Sequence, residues 1–268
     1  MATPSISIPK KHVSTRWIGK IIRQLLFYVL LLVIWQLLAS AHIWKDYLFA
    51  GPLTVLESTK ALYQDGSLVT AILVSVRRLA LGYGISLILG LILGLAIGSN
   101  RYIEETLGSL VVALQALPSV CWIPLAMLWF GLSEQAMLFV VVMGALFSIT
   151  LGVDAGIKNT PPVYIKAARN MGSRGLALST QVILPAALPS ILTGLKQGWT
   201  FAWRSLMAAE LLYNTVSLGS LLEGGRDFGD IGQIFAIMIV IIIIGIAIDG
   251  LIFQPLERMV RRRWGFAV

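Results

Sequence analysis

Apolar residues run almost unbroken through six stretches of the chain, at about 24–43, 69–98, 107–130, 136–157, 193–214 and 232–253, with polar residues gathered between them. An α-helix rises about 1.5 Å per residue, so each stretch is long enough to cross a hydrocarbon core of roughly 30 Å. In lipid the backbone must satisfy its own hydrogen bonds, which predicts an all-α membrane protein with about six transmembrane helices. Gly90, Gly94 and Gly98 recur at four-residue spacing, as do Gly152 with Gly156 and Gly194 with Gly198. Small residues at that interval let helix backbones approach closely, so these positions predict packing rather than chemistry.

The pattern divides the chain into a basic tail at 1–23, a first helix with an external loop at 24–66, and a core at 67–268 that contains a long polar loop at 158–192. The tail, the first apolar run and Ala39-Ser40-Ala41 together resemble a secretory signal with a cleavage site. The length of the tail and of the run favours a retained helix. Trp17, Trp35, Trp44 and Tyr47 near its ends read as interface anchors.

Composition narrows the class. Of 268 residues 57% are hydrophobic and only 13% charged, with a mean hydropathy of +0.84, which a single water-soluble core cannot accommodate. The net charge of +8 is a topology signal rather than a nucleic-acid footprint, because of where it lies. Fourteen of the 21 Lys and Arg residues fall in the N-terminal tail and in alternate loops after it, against three (Lys45, Lys60, Arg226) on the other side. Positive loops stay inside, so both termini are expected in the cytoplasm of a bacterial inner membrane, with no nucleic acid as partner.

Enzyme chemistry finds no support. The one Gly-Lys pair, Gly19-Lys20, is followed by Ile21, so no phosphate loop exists. His12 and His42 fall on opposite sides of the membrane, and neither a zinc-protease helix nor a cysteine pair occurs. The single Cys121, within an apolar run, reads as a small packing residue. The chain is expected to be non-catalytic and to bind no cofactor or metal.

Charges inside apolar spans are costly and therefore informative. Asp154 and Lys158 are four apart and pair along a helix. Lys196 and Asp249 lie near cytoplasmic ends, where water is in reach, and Arg77 and Arg78 suit snorkelling at the outer edge. Lys196, Trp199, Trp203, Met207 and Glu210 progress by three, four, four and three residues, which aligns them on one face of the fifth span, with Arg204 beside it. That face has two open readings: a substrate pathway lined by Trp199, Trp203, Arg204, Met207 and Glu210, or an internal ion pair holding the bundle or a dimer together. The forked guanidinium of Arg204 suits an oxyanion.

In the 158–192 loop, Thr160-Pro161-Pro162 reads as a helix start with Thr160 as the cap, and Gly172 as its end. Tyr164, Ala167, Ala168 and Met171 share one face, and Lys166, Arg169 and Asn170 lie elsewhere. A helix of about ten residues is marginal alone in water, so it requires a packing partner, either its own bundle, the lipid surface or another protein.

Ala167-Ala168, Gly172, Val182 and Leu184-Pro185, at their spacing here, resemble the EAA loop of ABC-importer permeases. Leu117-Pro118, Trp122-Ile123-Pro124-Leu125, Leu128-Trp129-Phe130-Gly131 and Leu184 to Pro189 are similar to the nitrate, sulfonate and taurine branch of that family, over about residue 70 to the end. Lys166 departs from the family, which has glutamate there, so a salt bridge at this point does not carry over. The resemblance implies a type I ABC-importer permease-like bundle acting as a homodimer. It implies two cytosolic ATPase subunits that use ATP and Mg and dock on Tyr164, Lys166, Ala167, Ala168, Arg169, Met171, Gly172 and Pro185. It also implies a solute-binding protein that delivers a small anion of the nitrate, sulfonate, taurine or bicarbonate type. An ion-driven secondary transporter and a non-transporting membrane scaffold are the alternatives, although no internal repeat points to the former.

Overall fold

The computed structural model describes residues 14–41, 43, 45, 48–213 and 215–263, and no strand occurs among them. Lys10, Lys11, His12, His42, Trp44 and Tyr47 lie outside the described residues, as do the side chains of Arg16, Trp17, Lys20 and Arg263. The helices are α1 (Ser14–Ser40), α2 (Pro52–Gln64), α3 (Ser67–Ser99), α4 (Arg101–Gln115), α5 (Ser119–Phe130), α6 (Glu134–Lys158), α7 (Pro162–Asn170), α8 (Leu184–Glu210), α9 (Leu218–Asp227), α10 (Ile231–Ile248) and α11 (Gln254–Arg263). A π turn lies within α4 at Glu104–Gly108, a second leads into α8 at Ser179–Ile183, and a third joins α10 to α11 at Asp249–Phe253.

Among the described residues four segments are long and apolar enough to cross a membrane: Ile22–Ser40, Ser67–Ser99, Glu134–Lys158 and Ile231–Arg262. The bent pair α4 and α5 makes a fifth. The span expected at 107–130, with Pro118 and Pro124 as its candidate kinks, is thus broken into two helices meeting at 102°. Pro118, in the break, has no N–H for a helical ladder, and it disfavours helical backbone at Leu117. Cys121 belongs to the short 3-10 turn that opens α5 and is exposed, not packed. The span expected at 193–214 begins at Leu184 and ends at Glu210, so residues 184–192 belong to a helix and not to the loop. Its apolar run is diluted by Lys196, Gln197, Thr200 and Arg204, yet it traverses the same thickness as α6.

Glycines explain how. A Cβ on Gly90, Gly94 or Gly98 would run into Ile149, Val153 or Ile157, so α3 lies against α6 in parallel. Gly144 meets Ser205, Gly198 meets Ile149, Gly152 faces Gly194 and Gly156 meets Ala187, so α8 runs antiparallel along the other side of α6. Absent side chains let the backbones touch, which is how helices seal in a solvent as apolar as themselves. Leu79, Val141, Ile149, Val153, Ala202 and Leu206 fill the core of this three-helix sandwich.

The peripheral elements include two that hydropathy alone passed over. Pro52 at the start of α2 supplies a preset helical φ. The Asp65 carboxylate, which accepts the Ser67 N–H at 2.8 Å, is held below the usual carboxylate range by its hydrogen bonds from Ser67. Ser217 and Ser220 form a reciprocal cap on α9. Helix α1 is almost wholly exposed; Trp35 ties it down by stacking on Phe235 and donating Nε1–H to the Ala50 carbonyl at 3.0 Å.

These contacts place Ser14, Ser99, Lys158, Leu184 and Arg263 on one face of the bundle and Ser67, Glu134, Glu210 and Ile231 on the other. On the charge asymmetry the first face is expected to be the cytoplasmic one. A membrane-impermeant thiol label in intact cells should therefore reach a cysteine at Asp227 and spare one at Arg174. Labelling of the second and not the first would invert the topology.

Candidate functional site

Helix α7 forms the tip of the cytoplasmic-side loop. Pro162 sits in its first turn, but the N-cap is Pro161, not Thr160. The Thr160 hydroxyl instead donates back to the Gly156 carbonyl at 3.1 Å, which ties the loop to the end of α6. The other end closes as the sequence suggested. Gly172 has φ +86°, Ser173 N–H donates to Ala168 O at 2.9 Å and Gly172 N–H to Arg169 O at 3.0 Å, a Schellman arrangement. A short helix fixed at both ends presents a defined surface.

The structure separates the residues expected on one face. Ala168 is buried against the helical segment 175–183, whereas Met171 is 82% and Tyr164 51% exposed, with Val163 and Ala167 also open. Val163, Tyr164, Ala167 and Met171 form an apolar stripe open to solvent, with exposed Lys166 beside it and exposed Arg169 on the other side of the helix. Pro185 lies in the first turn of α8, beyond the loop, and is half-buried.

Helix α8 has two polar faces, of which the sequence reading singled out one. On the face singled out above, Trp199 stacks on Trp203 and packs edge-on to Tyr83, and Trp203 and Met207 pack against α10. Lys196 bonds Asp249 at 2.9 Å and reaches Glu257 at 3.4 Å, so these partly exposed groups also serve each other. Glu210 is fully buried. Its carboxylate accepts Ser75 Oγ–H, Arg78 Nη1–H at 3.2 Å and the Gly219 N–H at 3.2 Å, at the N-terminus of α9. Arg78, expected to snorkel, is 5% exposed and committed to this pair, while Arg77 bonds Glu134 at 2.6 Å. Asp154 and Lys158 pair at 2.7 Å as expected, and Glu104 of α4 joins them at 2.8 Å.

A second face of α8, about a third of a turn round from the first, carries Ser190, Thr193, Gln197, Phe201 and Arg204, at intervals of three, four, four and three. It borders two cavities that share Gln115: an outer one of about 340 Å³ reaching Arg204 and an inner one of about 370 Å³ reaching Ser190 and Thr193. Arg204 is exposed and, alone among the described cations of helices α3 to α6 and α8, has no carboxylate partner. Gln115 and Ser148, joined at 3.2 Å, belong to this groove and were missed in the sequence. The polar period on α8 was available to find its own side of it. Among the described residues no group of His, Cys, Asp and Glu could hold a metal ion.

A bundle with a capped helical knob and a polar groove has relatives. Residues 86–264 match the model of the binding-protein-dependent transport system inner membrane component. The chain belongs to that family. The permease is 31% identical over 224 residues to a putative ABC transporter permease of Methanocaldococcus jannaschii, covering 82% of this chain and 84% of the relative. It is 29% identical to the putative aliphatic sulfonates transport permease of Bacillus subtilis, covering 87% and 84%, and 27% identical to the nitrate import permease of Synechocystis, covering 91% and 90%. Its fold matches a chain of the methionine ABC transporter in inward-facing conformations, with a TM-score of 0.56 at 21% identity over 73% of this chain and 96% of that one. The permease is thus a multi-pass inner-membrane subunit of an ABC importer with the type I fold, and the ion-driven carrier and the scaffold fall away.

Proposed function

We propose that the permease acts as a homodimer, driven by two cytosolic ATPase subunits that use ATP and Mg, and that it imports a small anionic solute delivered by an extracytoplasmic binding protein. It binds no cofactor itself and performs no catalysis. The sulfonate and nitrate named for its relatives support the solute class, as does the unpaired Arg204.

The observation that carries the coupling is the stripe Val163, Tyr164, Ala167 and Met171 on a helix locked by Pro162 and Gly172. An amphipathic helix with its apolar face toward solvent suits a groove on another protein. Closure of the ATPases on ATP would draw the α7 tips of two copies together, and hydrolysis would release them. The solute would pass along the Ser190 to Arg204 face of α8, while Trp199, Trp203 and Glu210 brace the protomer behind it.

Ala168 is a poor test of docking, because a larger side chain there would unseat α7 from its own loop. Ala167→Glu and Met171→Asp change only the exposed stripe. Each should lower recovery of the ATPase with a tagged permease at least about tenfold, the scale of losing one well-packed contact, while the permease elutes as before. Full recovery with both variants would refute docking through α7.

A further inference from the structure

Resting on the pathway proposed above, the polar groove of α8 divides into a charged part and a neutral part. The outer cavity lies in the break between α4 and α5, bounded by Gln115, Ser119, Val120, Phe201 and Arg204. Neither cavity is lined by an acidic residue, and Arg204 is the one cation in either. An arginine at membrane depth is stable only with a counter-charge or water, and the carboxylates of the bundle are committed elsewhere. The inner cavity offers Ser148, Ser190, Thr193 and Gln197, which donate hydrogen bonds without charge. Gln115 lines both, at the junction. Its amide Nε2 donates to Ser148 Oγ at 3.2 Å, and its Oε1 is buried without a partner.

We infer that the outer cavity is an oxyanion subsite held by Arg204, and that Gln115 is the specificity-determining residue that passes the anion to an uncharged inner lane. A single fixed charge attracts the anion, and the neutral donors beyond it stabilise the anion without trapping it. A carboxylate at position 115 would stand in both cavities and close the lane to anions while leaving it open to cations.

The test uses the full chain in lipid nanodiscs, where both faces meet the buffer. On a Cys121→Ala background, Val120→Cys reports the outer cavity and Thr193→Cys the inner one. The probes are two methanethiosulfonates, one carrying a sulfonate and one a quaternary ammonium. At Val120→Cys the sulfonate reagent should react faster, and Arg204→Gln should reduce the sulfonate-to-ammonium rate ratio by about tenfold or more, as removal of one nearby charge from a partly hydrated site predicts. Gln115→Glu should slow the sulfonate reagent at Thr193→Cys about tenfold and leave the ammonium reagent no slower. If both cysteines react but the ratio ignores Arg204, the oxyanion subsite is wrong and the pathway stands. If Gln115→Glu changes nothing at Thr193→Cys, the hand-over is wrong. If neither cysteine reacts, the face is not water-lined, and the pathway reading fails with this inference.

Discussion

Gly194→Leu should abolish assembly of the bundle, leaving little or no monodisperse permease after extraction in mild detergent. A Cβ on Gly194 would lie 2.6 Å from the Gly152 Cα and 3.3 Å from the Ser148 carbonyl oxygen. Both are backbone atoms, so no side-chain rotation relieves the clash and the two helices must part. Separation there opens the seam from Gly156 and Ala187 to Gly144 and Ser205, because these contacts follow one another along the same two helices. Overpacking a core costs about 1–3 kcal/mol where side chains yield, and more where they cannot. Close approach of α6 and α8 has no substitute in lipid, where burial of apolar surface gives no drive of its own. Gly84→Ala is the control, since a Cβ there meets nothing within 4 Å. Its unfolding in mixed micelles should stay within about 0.5 kcal/mol of the parent. Equal yields of the two variants would mean that the seam is not the main contact of the bundle.

Glu210→Gln should destabilise the permease by about 3 kcal/mol, the lower part of the range for removing one partner of a buried pair. The variant keeps the shape and the bonds to Ser75 and Gly219 but leaves the Arg78 guanidinium charged and enclosed. Glu134, whose Oε1 is 3.7 Å from Arg78 Nε, compensates part of that charge, which is why the upper part of the range is not expected. Arg78→Met alone should cost a similar amount, since it strands the carboxylate. The double variant should recover most of the loss, because an enclosed pair can be exchanged for neutral groups with little net change. Additive losses in the cycle would show that the two groups are not coupled in the folded state.

Much of this architecture was legible in the sequence. Runs of twenty apolar residues mark a crossing whatever surrounds them, and α3 and α6 begin and end within two residues of the apolar runs that announced them. Glycine spacing identified α3, α6 and α8 as the helices that touch, since only a missing side chain permits that contact. The end of α7 was equally readable, because Gly172 is a local signal. The break at Pro118 was harder: proline marks a disturbance, but whether a helix kinks or stops depends on what its neighbours leave room for. Arg78 and Glu210 are 132 residues apart, and nothing local distinguishes a snorkelling arginine from one with a distant carboxylate waiting. On α8, periodicity found a true face but not its direction. Tryptophans and charges at helical spacing fit a pathway and a packed interior equally, and only the positions of α3 and α10 decide between them.

The three π turns all lie in the half of the bundle nearest α7, two within the helices and one on the lead into α8. Each widens the spiral by one residue and loosens a ladder that is otherwise continuous. Above them, the glycine seam holds α8 against α6 from Ala187 to Ser205. A 27-residue rod is about 40 Å long, so a pivot of five degrees at its base sweeps the far end through about 3.5 Å. A displacement at the α7 end of the helix is thereby enlarged at its Glu210 end.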